Sequence, residues 1–494
     1  MTQKYNALYR ESQIRQVEKL ACHQLNLSES TLMQRAAEAA LAVIKKRFPH
    51  INCFAVFCGG GNNGGDGYML AYLADLAGYR VIIYHDNLID DLPDAAKDAA
   101  SKAISKNIRA HSLEDTIDSD VELIVDALLG IGLKGVVRNP LKSVIEYIND
   151  QHIPVLSIDV PSGLHADTGT VLGSAIKADV TITFIGLKNG FYTCDGPDCT
   201  GETVLNGLEL SDLLNGMTPA GHLLEKNQFK QFVQPRRKNA HKGSFGHVLV
   251  IGGGRGMPGA AVLAAMAAMR VGAGSVAVAM HPQYANQPLA DFPEAMIYGI
   301  DSGEDLQPLL EQVDVVILGP GLGEDNWAKT MFSKTIASQQ PLVIDASALN
   351  LLAHAKQHDE NWILTPHPGE AARLLNLSTK DIQADRFKAS NHIQRQYGGT
   401  VVLKGVGTIV DVGATSCYLC SAGNPGMATA GMGDVLSGII AGLVAQGLSL
   451  QQAALLGVWL HAKSGDDAVA RLGQKGLLAT DLMPYIRKRM NSLS

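Results

Sequence analysis

The feature of the sequence that most restricts the fold is an alternation of short apolar runs with helical patterns, which occurs twice along the chain. After a helical opening at Ser12–Phe48, β-branched runs in the first half are separated by stretches of helical periodicity. Such alternation is typical of parallel strands joined by crossover helices. The predicted strands of this half are Cys53–Cys58, Arg80–Tyr84, Val121–Asp126, Pro154–Asp159 and Asp179–Phe184.

The second series follows a turn-rich stretch, Leu205–Pro235, in which this alternation is lost. A chain of 494 residues is also too long for one compact core, because domains cluster near roughly 100 to 200 residues. We therefore expect two α/β domains, residues 1–219 and 220–494. The predicted strands of the second domain are His247–Gly252, Ser275–Met280, Asp314–Gly319, Pro341–Asp345, Asn361–Thr365 and Thr400–Lys404.

The composition favours a globular protein with small-molecule partners. Apolar residues make up 46% of the chain and charged residues 18%, and the net charge is −7. No basic field is therefore expected to hold nucleic acid or an anionic membrane. The most apolar stretches, Gly259–Met269 and Val435–Ala445, are shorter than the roughly 18 residues of a membrane span, so we predict buried helices.

The cysteines and the N-terminus indicate a cytoplasmic protein. The seven cysteines are scattered and odd in number, which is untypical of a secreted disulfide framework. The first 20 residues carry charges throughout and lack the apolar core of a signal peptide. We therefore expect a reducing compartment and no export.

A glycine-rich loop follows the first predicted strand. Residues Gly59–Gly67 read GGGNNGGDG and precede a helical pattern. Backbone N–H groups of such a loop, together with a helix N-terminus, can hold phosphate oxygens. The loop also matches G-x-G-x-x-G, with Asp86 at the end of the next strand. The pattern is therefore compatible with an NAD-dependent oxidoreductase and also with a tight structural turn, so the surrounding sequence must decide.

Longer strings around three later strand ends are more specific. They are DALLGIGLKG from Asp126, IDVPSGLHADTG from Ile158 and FIGLKNGF from Phe184. Together with NNGGDG they resemble the epimerase domain of the NAD(P)H-hydrate repair proteins, from about Ser12 to Leu214. The resemblance implies a Rossmann-like three-layer αβα sandwich that binds a hydrated dinucleotide. The implied binding residues are Asn62, Asn63, Gly64, Gly65, Asp66, Gly130, Ile131, Gly132, Leu133, Lys134, Gly135, Val136 and Asp159.

The same resemblance implies a potassium ion held by Asn63, Asp126 and Ser162. These oxygen-bearing side chains suit a hard cation. Asp159 is the predicted catalytic carboxylate, because epimerisation at a hydroxyl-bearing carbon requires proton exchange near the ring. Each residue has a structural alternative: Asp126 can cap a helix and Ser162 can stabilise the turn after Pro161.

Two further features of the N-terminal half remain open. Lys188 can reach a phosphate or can be an exposed lysine. The family pattern LMExAG is replaced here by LMQRAA at Leu32–Ala37, which raises doubt about that helix and none about the site.

The strongest single motif lies in the second half, where NPGMATAGMGDVLSG spans Asn424–Gly438. It places Gly431, Gly433 and Asp434 at the start of a long apolar helix and resembles the GxGD signature of ribokinase-like enzymes. Backbone N–H groups there can form an anion hole for a phosphoryl group. Asp434 can accept the proton of an attacking hydroxyl, or can simply cap the helix.

Further strings in the second half resemble the NAD(P)H-hydrate dehydratase domain, over nearly all of Lys242–Arg487. They are KGSFGHVLVIGGG, GMPGAAVLAAMAAMRVGAG, GPGLG, DASALN, TPHPGE and VLKGVGT. The resemblance implies a ribokinase-like αβα domain. By this resemblance the hydrate-binding residues are Ala261, Gly321, His367 and Asp434, and the nucleotide-binding residues are Lys404, Gly405, Val406, Gly407, Thr408 and Gly433.

Together the resemblances imply a bifunctional repair enzyme for hydrated NADH and NADPH. The N-terminal domain would interconvert the R and S hydrates. The C-terminal domain would dehydrate the S form with ADP as phosphoryl donor and Mg²⁺ as helper, giving AMP and phosphate. We also expect a homo-oligomer.

Two other hypotheses stay open from the residues themselves. One is a ribokinase-like small-molecule kinase with an N-terminal dinucleotide-binding regulatory module. The other is the NAD-dependent oxidoreductase. The choice between ADP and ATP as donor does not follow from sequence.

Overall fold

The computed structural model describes residues 6–86, 88–285 and 292–493. The chain divides into two compact units, Met1–Gly221 and His222–Ser494. A short strand, β10 (Gly221–Leu223), lies at the point of the chain where they divide. Among the described residues, no helix has the length and apolar character needed to cross a bilayer.

The N-terminal unit is built on a seven-stranded sheet in the order β4-β3-β2-β5-β6-β7-β9, and every neighbouring pair is parallel. A second, two-stranded pairing joins β1 to β8. The strands are β1 (Ala7–Tyr9), β2 (Cys53–Cys58), β3 (Arg80–Tyr84), β4 (Arg109–His111), β5 (Leu123–Ala127), β6 (Val155–Ile158), β7 (Val180–Phe184), β8 (Leu187–Lys188) and β9 (Glu202–Asn206).

Helices cover both faces of this sheet, because strand residues of both orientations are apolar and fully buried, such as Phe54 on one face and Phe57 on the other. The unit is therefore a three-layer αβα sandwich. The helices are α1 (Glu11–Gln24), α2 (Glu29–Arg47), α3 (Asn62–Leu76), α4 (Asp94–Ser105), α5 (Leu141–Asn149) and α6 (Gly196–Thr200).

The C-terminal unit has strand order β13-β12-β11-β14-β15-β16-β17-β18-β19. Its pairs are parallel from β13 to β17, and the last two pairs are antiparallel. The strands are β11 (His247–Ile251), β12 (Ser275–Met280), β13 (Met296–Gly299), β14 (Val315–Leu318), β15 (Leu342–Ile344), β16 (Trp362–Leu364), β17 (Thr400–Leu403), β18 (Thr408–Asp411) and β19 (Cys417–Cys420).

The largest core of this unit lies between one face of the sheet and the apolar helices that pack on it. The two stretches too short for a membrane span form parts of two of these helices, α7 and α15, as predicted. The helices are α7 (Pro258–Val271), α8 (Pro282–Ala285), α9 (Gly303–Leu310), α10 (Asn326–Ile336), α11 (Ser347–Ala355), α12 (Pro368–Leu375), α13 (Thr379–Ala384), α14 (Arg386–Tyr397), α15 (Met432–Ala445), α16 (Leu450–Leu472) and α17 (Met483–Asn491).

The strands named from sequence all form, most with ends shifted by one or two residues. The predicted strand Pro154–Asp159 stops at Ile158, because Asp159 adopts a left-handed backbone with φ of 63°. The helical opening forms two helices, since the Ser28 hydroxyl accepts a hydrogen bond from the Thr31 N–H and starts α2. Short strands such as β4 were not predicted from the sequence, because half-exposed edge strands carry no continuous apolar run.

Candidate active sites

The N-terminal cavity lies where the strand order reverses, between β2 and β5. Loops that leave the carboxyl ends of neighbouring parallel strands diverge at such a point and leave a crevice for a ligand. The crevice here has a volume of about 930 Å³. Of the residues implied by resemblance, it is lined by Asn62, Asn63, Asp66, Gly130, Ile131, Gly132, Leu133, Lys134 and Asp159.

The remaining implied residues lie outside this lining. Gly64 and Gly65 are buried in the first turn of α3, and a side chain at Gly65 would meet the Met33 methyl group at 2.4 Å. Gly135 and Val136 are exposed in the loop that follows β5. Gly64 and Gly65 therefore affect the conformation of the glycine-rich loop. The neighbouring Asn62 and Asn63 line the cavity.

Replacing Gly64 by alanine is expected to damage this loop. The new methyl group would lie 1.9 Å from the Gly59 carbonyl oxygen, so the backbone must move. Overpacking of this kind costs about 1–3 kcal/mol of unfolding free energy, and hydrate binding to this unit should weaken with it. Gly61→Ala is the matched control, because nothing lies within 4 Å of the added methyl group. Denaturant unfolding should distinguish the two variants, and equal stability would contradict the prediction.

Asp126 and Ser162 are hydrogen-bonded to each other, and neither belongs to the cavity lining. Asp126 is fully buried, and its carboxylate accepts hydrogen bonds from Ser162 Oγ at 2.5 Å, Ser162 N at 2.9 Å and Ser157 Oγ at 2.8 Å. Burial raises the pKa of Asp126, although these hydrogen bonds oppose the shift. Asn63 approaches from α3 and lies against Gly130. The buried amide nitrogen of Asn63 has no hydrogen-bond partner among the described residues.

Asp159 is held by a lysine whose role the sequence left open. Lys188 is fully buried, and its Nζ donates to Asp159 Oδ1 at 2.5 Å, Thr183 Oγ1 at 2.6 Å and the Phe184 carbonyl oxygen at 3.0 Å. Both expectations for Lys188, an exposed side chain or a phosphate contact, are therefore wrong. All three ammonium protons have acceptors inside the protein. The lysine orients Asp159 instead.

Two more acidic groups face the same cavity, and sequence analysis missed one of them. Glu18 on α1 lies in no motif, so no local signal marked it. Burial, followed by the charge of Asp159, raises the pKa of Glu18 to about 7. The same two causes raise the pKa of Asp66 well above its usual range. The cavity thus combines one lysine-paired carboxylate with two carboxyl groups that tend to keep their protons.

Asp86, the residue that would bind ribose in an oxidoreductase, has a structural role. Its Oδ1 accepts hydrogen bonds from Ser112 Oγ at 2.6 Å and Leu113 N at 3.1 Å. This carboxylate oxygen therefore fixes the chain that follows β4.

The C-terminal site is built on the N-terminus of α15. Gly431 precedes the helix with φ of 88°, a conformation that favours glycine. Gly433 and Asp434 lie in the first turn, where backbone N–H groups have no partner within the helix. Burial, followed by the charge of Asp345, raises the pKa of Asp434 to about 7. Asp434 is thus poised to exchange a proton near neutral pH.

A buried ion pair lies beside this helix start. Lys404 Nζ is 2.8 Å from Asp345 Oδ1 and 3.8 Å from Glu370 Oε2. Ser437 Oγ donates to the other Asp345 oxygen at 2.7 Å. A methyl group added to Gly433 would lie 3.3 Å from Lys404 Nζ, so the ammonium group lies next to the backbone that forms the anion hole.

The pKa values of the pair follow from these contacts. Burial alone would raise the pKa of Asp345 and lower that of Lys404, but their mutual attraction outweighs it and both groups remain charged. Asp345 and Glu370 were missed as site residues. Their motifs, DASALN and TPHPGE, were noted in the sequence, but no pairing with Lys404 can be inferred from them.

His367 caps α12 and also faces this network. Its Nδ1 accepts hydrogen bonds from Gly369 N at 3.0 Å and Glu370 N at 3.3 Å, while its Nε2 is 3.4 Å from Glu370 Oε1. Burial, followed by the positive charge of Lys404, lowers the pKa of His367. The capping role and the site role predicted from TPHPGE are therefore compatible.

The remaining implied residues lie on α7 and on the loops that follow β14 and β17. Gly321 accepts a hydrogen bond from Gly254 N at 2.7 Å, which ties the loop after β14 to the loop after β11. Ala261 on α7 is fully buried beneath this loop. In the segment Lys404–Thr408, Gly405 and Val406 are exposed, while the buried Arg386 donates to the Leu403 and Lys404 carbonyl oxygens from below.

Comparison with known proteins supports the family resemblance of both halves of the chain. A family described as NAD(P)H-hydrate dehydratase matches residues 248–488, and one described as YjeF-related protein N-terminus matches residues 29–190. The bifunctional NAD(P)H-hydrate repair enzyme of Coxiella burnetii is 46% identical to the chain, over 98% of this chain and 99% of that protein. The chain belongs to the bifunctional NAD(P)H-hydrate repair family.

Solved structures agree with this membership of the NAD(P)H-hydrate repair family. A ribokinase-like superfamily protein from Enterococcus faecalis is 32% identical with a TM-score of 0.52, covering 57% of this chain and 99% of that one. An ADP/ATP-dependent NAD(P)H-hydrate dehydratase from Bacillus subtilis, co-crystallised with ATP and Mg²⁺, is 25% identical with a TM-score of 0.50, covering 55% of this chain and 98% of that one. The two-domain fold, Rossmann-like then ribokinase-like, is confirmed.

Proposed function

We propose that this chain repairs hydrated NADH and NADPH at two sites. The N-terminal unit, with a functional boundary near residue 220, interconverts the R and S hydrates. The C-terminal unit dehydrates the S hydrate with ADP as donor, releasing AMP and phosphate. The observation that carries the proposal is Asp434, a carboxyl group with a pKa of about 7 in the first turn of α15 beside the Lys404 ammonium.

These two residues support a phosphorylation that precedes elimination. Asp434 accepts the proton of the hydrate hydroxyl, whose oxygen then attacks the terminal phosphorus of the nucleotide. Backbone N–H groups of α15 and the Lys404 ammonium stabilise the negative charge that develops on the phosphoryl oxygens. Phosphate is a much better leaving group than hydroxide, so the ring nitrogen can expel it and a ring proton leaves to complete the double bond.

A magnesium ion fits the carboxylates of this site. Hard oxygen ligands suit Mg²⁺, and the Glu370 carboxylate offers one beside the anion hole. When bound with the nucleotide, the ion neutralises phosphate charge. The co-crystals of the Bacillus subtilis relative with ATP and Mg²⁺ support this assignment.

A potassium ion suits the side chains of Asn63, Asp126 and Ser162 in the N-terminal unit. The buried Asn63 amide lacks a hydrogen-bond partner among the described residues, and a reversed amide orientation would present its oxygen there. With Asp126 and Ser162 it forms a set of oxygen ligands only. Bound there, the ion would supply positive charge beside the dinucleotide.

The test is an absorbance measurement. Hydrated NADH incubated with the protein, ADP and Mg²⁺ should regain the absorbance of reduced nicotinamide, with AMP formed in equal amount. Consumption of the nucleotide on another small molecule, without recovery of NADH, would favour the kinase hypothesis. Hydride transfer from NADH to a carbonyl compound would favour the oxidoreductase.

The expected homo-oligomer and cytoplasmic location belong to the same proposal. The seven cysteines are scattered along the chain and odd in number, which supports a reducing compartment. Light scattering of the purified chain measures the oligomeric state directly.

A further inference from the structure

Glu18 lies in the wall of the N-terminal cavity and forms no ion pair with a described residue. It projects from α1 into the same cavity that Asp66 and Asp159 line. Arg15, one turn earlier on the same helix, pairs with another residue, since Arg15 Nε is 2.7 Å from Glu11 Oε1. No hydrogen-bond or ion-pair partner of the Glu18 carboxyl lies among the described residues. The group is therefore free to meet a ligand.

Glu18 and Asp159 differ in what surrounds them. Asp159 Oδ1 accepts hydrogen bonds from the Lys188 ammonium and the Phe184 N–H. Glu18 is half-buried without such donors, and its pKa is raised to about 7. One carboxyl group paired with a cation, beside a second that lacks such a partner, is the usual arrangement of a general base with a general acid.

We propose that Glu18 is the catalytic acid of the epimerase site and acts together with Asp159 as base. This inference rests on the proposed epimerase function and deepens it. The hydrate carries its hydroxyl on the carbon next to the ring nitrogen, so it is a hemiaminal and can open to an aldehyde.

Asp159 and Glu18 together can carry out the proton transfers that this ring opening requires. Asp159 takes the hydroxyl proton, the carbon–oxygen bond becomes a carbonyl, and the carbon–nitrogen bond breaks. The electron pair goes to the ring nitrogen, which receives the proton of Glu18. After rotation of the aldehyde, the nitrogen attacks its other face. Asp159 then returns its proton to oxygen and Glu18 recovers its proton from nitrogen, so both groups regain their starting state.

Asp66 is the competing acid, because it faces the same cavity and also tends to keep its proton. It belongs to the Asn62–Asp66 segment at the start of α3, where the backbone N–H groups suit dinucleotide phosphates. Glu18 lies on another wall and has a longer side chain. We therefore assign the acid to Glu18 and include Asp66 in the test.

The experiment measures epimerisation of pure R hydrate by the full chain, without ADP, against a blank for spontaneous reaction. Glu18→Gln keeps the size of the side chain and removes the proton, so the enzymatic rate should fall by roughly 10² to 10⁴. Glu38→Gln is the matched control, because Glu38 is an exposed glutamate on α2 that does not line this cavity. It should epimerise at the wild-type rate.

The pH profile separates a proton donor from a structural residue. Wild-type kcat/KM for epimerisation should decline above about pH 7 as Glu18 ionises. Glu18→Gln should lack this decline, and Glu18→Asp should retain it at a reduced rate. The charged groups that face Glu18 or line its cavity, and so contribute to its titration, are Arg15, Lys19, His23, Glu29, Asp66, Lys134, Asp159 and Lys188.

Each outcome of these measurements tests either the epimerase function or the role of Glu18. Wild type without epimerisation would overturn the proposed function itself. An active wild type with an equally active Glu18→Gln variant would overturn the role of Glu18 alone. Loss of the alkaline decline in Asp66→Asn, and its persistence in Glu18→Gln, would transfer the acid to Asp66. The thermal unfolding curve reports whether each variant is folded.

Discussion

Replacing Asp434 by asparagine is expected to stop dehydration and leave epimerisation unchanged. The amide keeps the size of the side chain but cannot accept the hydroxyl proton, and loss of a general base lowers rates by roughly 10² to 10⁴. Epimerisation should persist because its cavity lies in the other compact unit. The measurement is AMP formation from ADP with S hydrate, and R-to-S conversion in the same preparation.

The pH dependence of dehydration should follow from the same residue. A base works when it is deprotonated, and burial raises the pKa of Asp434 to about 7. The kcat/KM of wild type should therefore fall about tenfold per unit as pH decreases below about 7. A profile that stays flat down to pH 5 would contradict the assignment.

Asp305 provides the matched control for Asp434. Both are the third residue of their helices, in α15 and α9, but Asp305 is exposed and bonds to Ser302 at its helix start. Asp305→Asn should dehydrate at the wild-type rate. If Asp434→Asn retained near-normal dehydration, it would not be the base. Equal loss of both activities would instead indicate unfolding.

Asp159→Asn is expected to abolish enzymatic epimerisation and also to destabilise the N-terminal unit. The amide removes the basic oxygen, which costs roughly 10² to 10⁴ in rate. It also leaves Lys188, which is fully buried, without its counter-ion. Breaking a buried ion pair on one side costs about 3–5 kcal/mol. With mixed hydrates and ADP, the S form should disappear at the usual rate and R only at the spontaneous rate.

A second substitution separates the loss of epimerisation from the loss of stability. In Asp159→Asn with Lys188→Met, no buried charge remains unpaired, so the thermal unfolding temperature should recover while epimerisation stays absent. Chiral chromatography of the residual hydrate and an unfolding curve provide both readouts. Rapid consumption of R by either variant in a folded state would refute the role of Asp159.

Much of the fold follows from local pattern. The strands that carry the sites were predictable because their apolar runs are buried on both faces and need no partner to be recognised. The positions of Asp126 and Asp434 were also predictable, because a residue near the end of a strand or at the start of a helix is located by the element itself. Glycine spacing likewise marked the loop at Gly59–Gly67.

The pairings of the charged side chains were not predictable. Lys188 meets Asp159 across 29 residues of sequence, and Lys404 meets Asp345 across 59. Glu18 comes from a helix without any motif. Electrostatic neighbours depend on which strands lie side by side, and no local period encodes that.

The sequence by itself determined the class of fold, the two-part organisation and the family, because periodicity, glycine placement and motif strings are local properties of the chain. Tertiary structure alone decided which carboxyl groups have raised pKa values. The pKa values of Glu18 and Asp434 rise since folding removes them from water and places another carboxylate nearby. Desolvation and charge proximity exist only after distant segments have packed together.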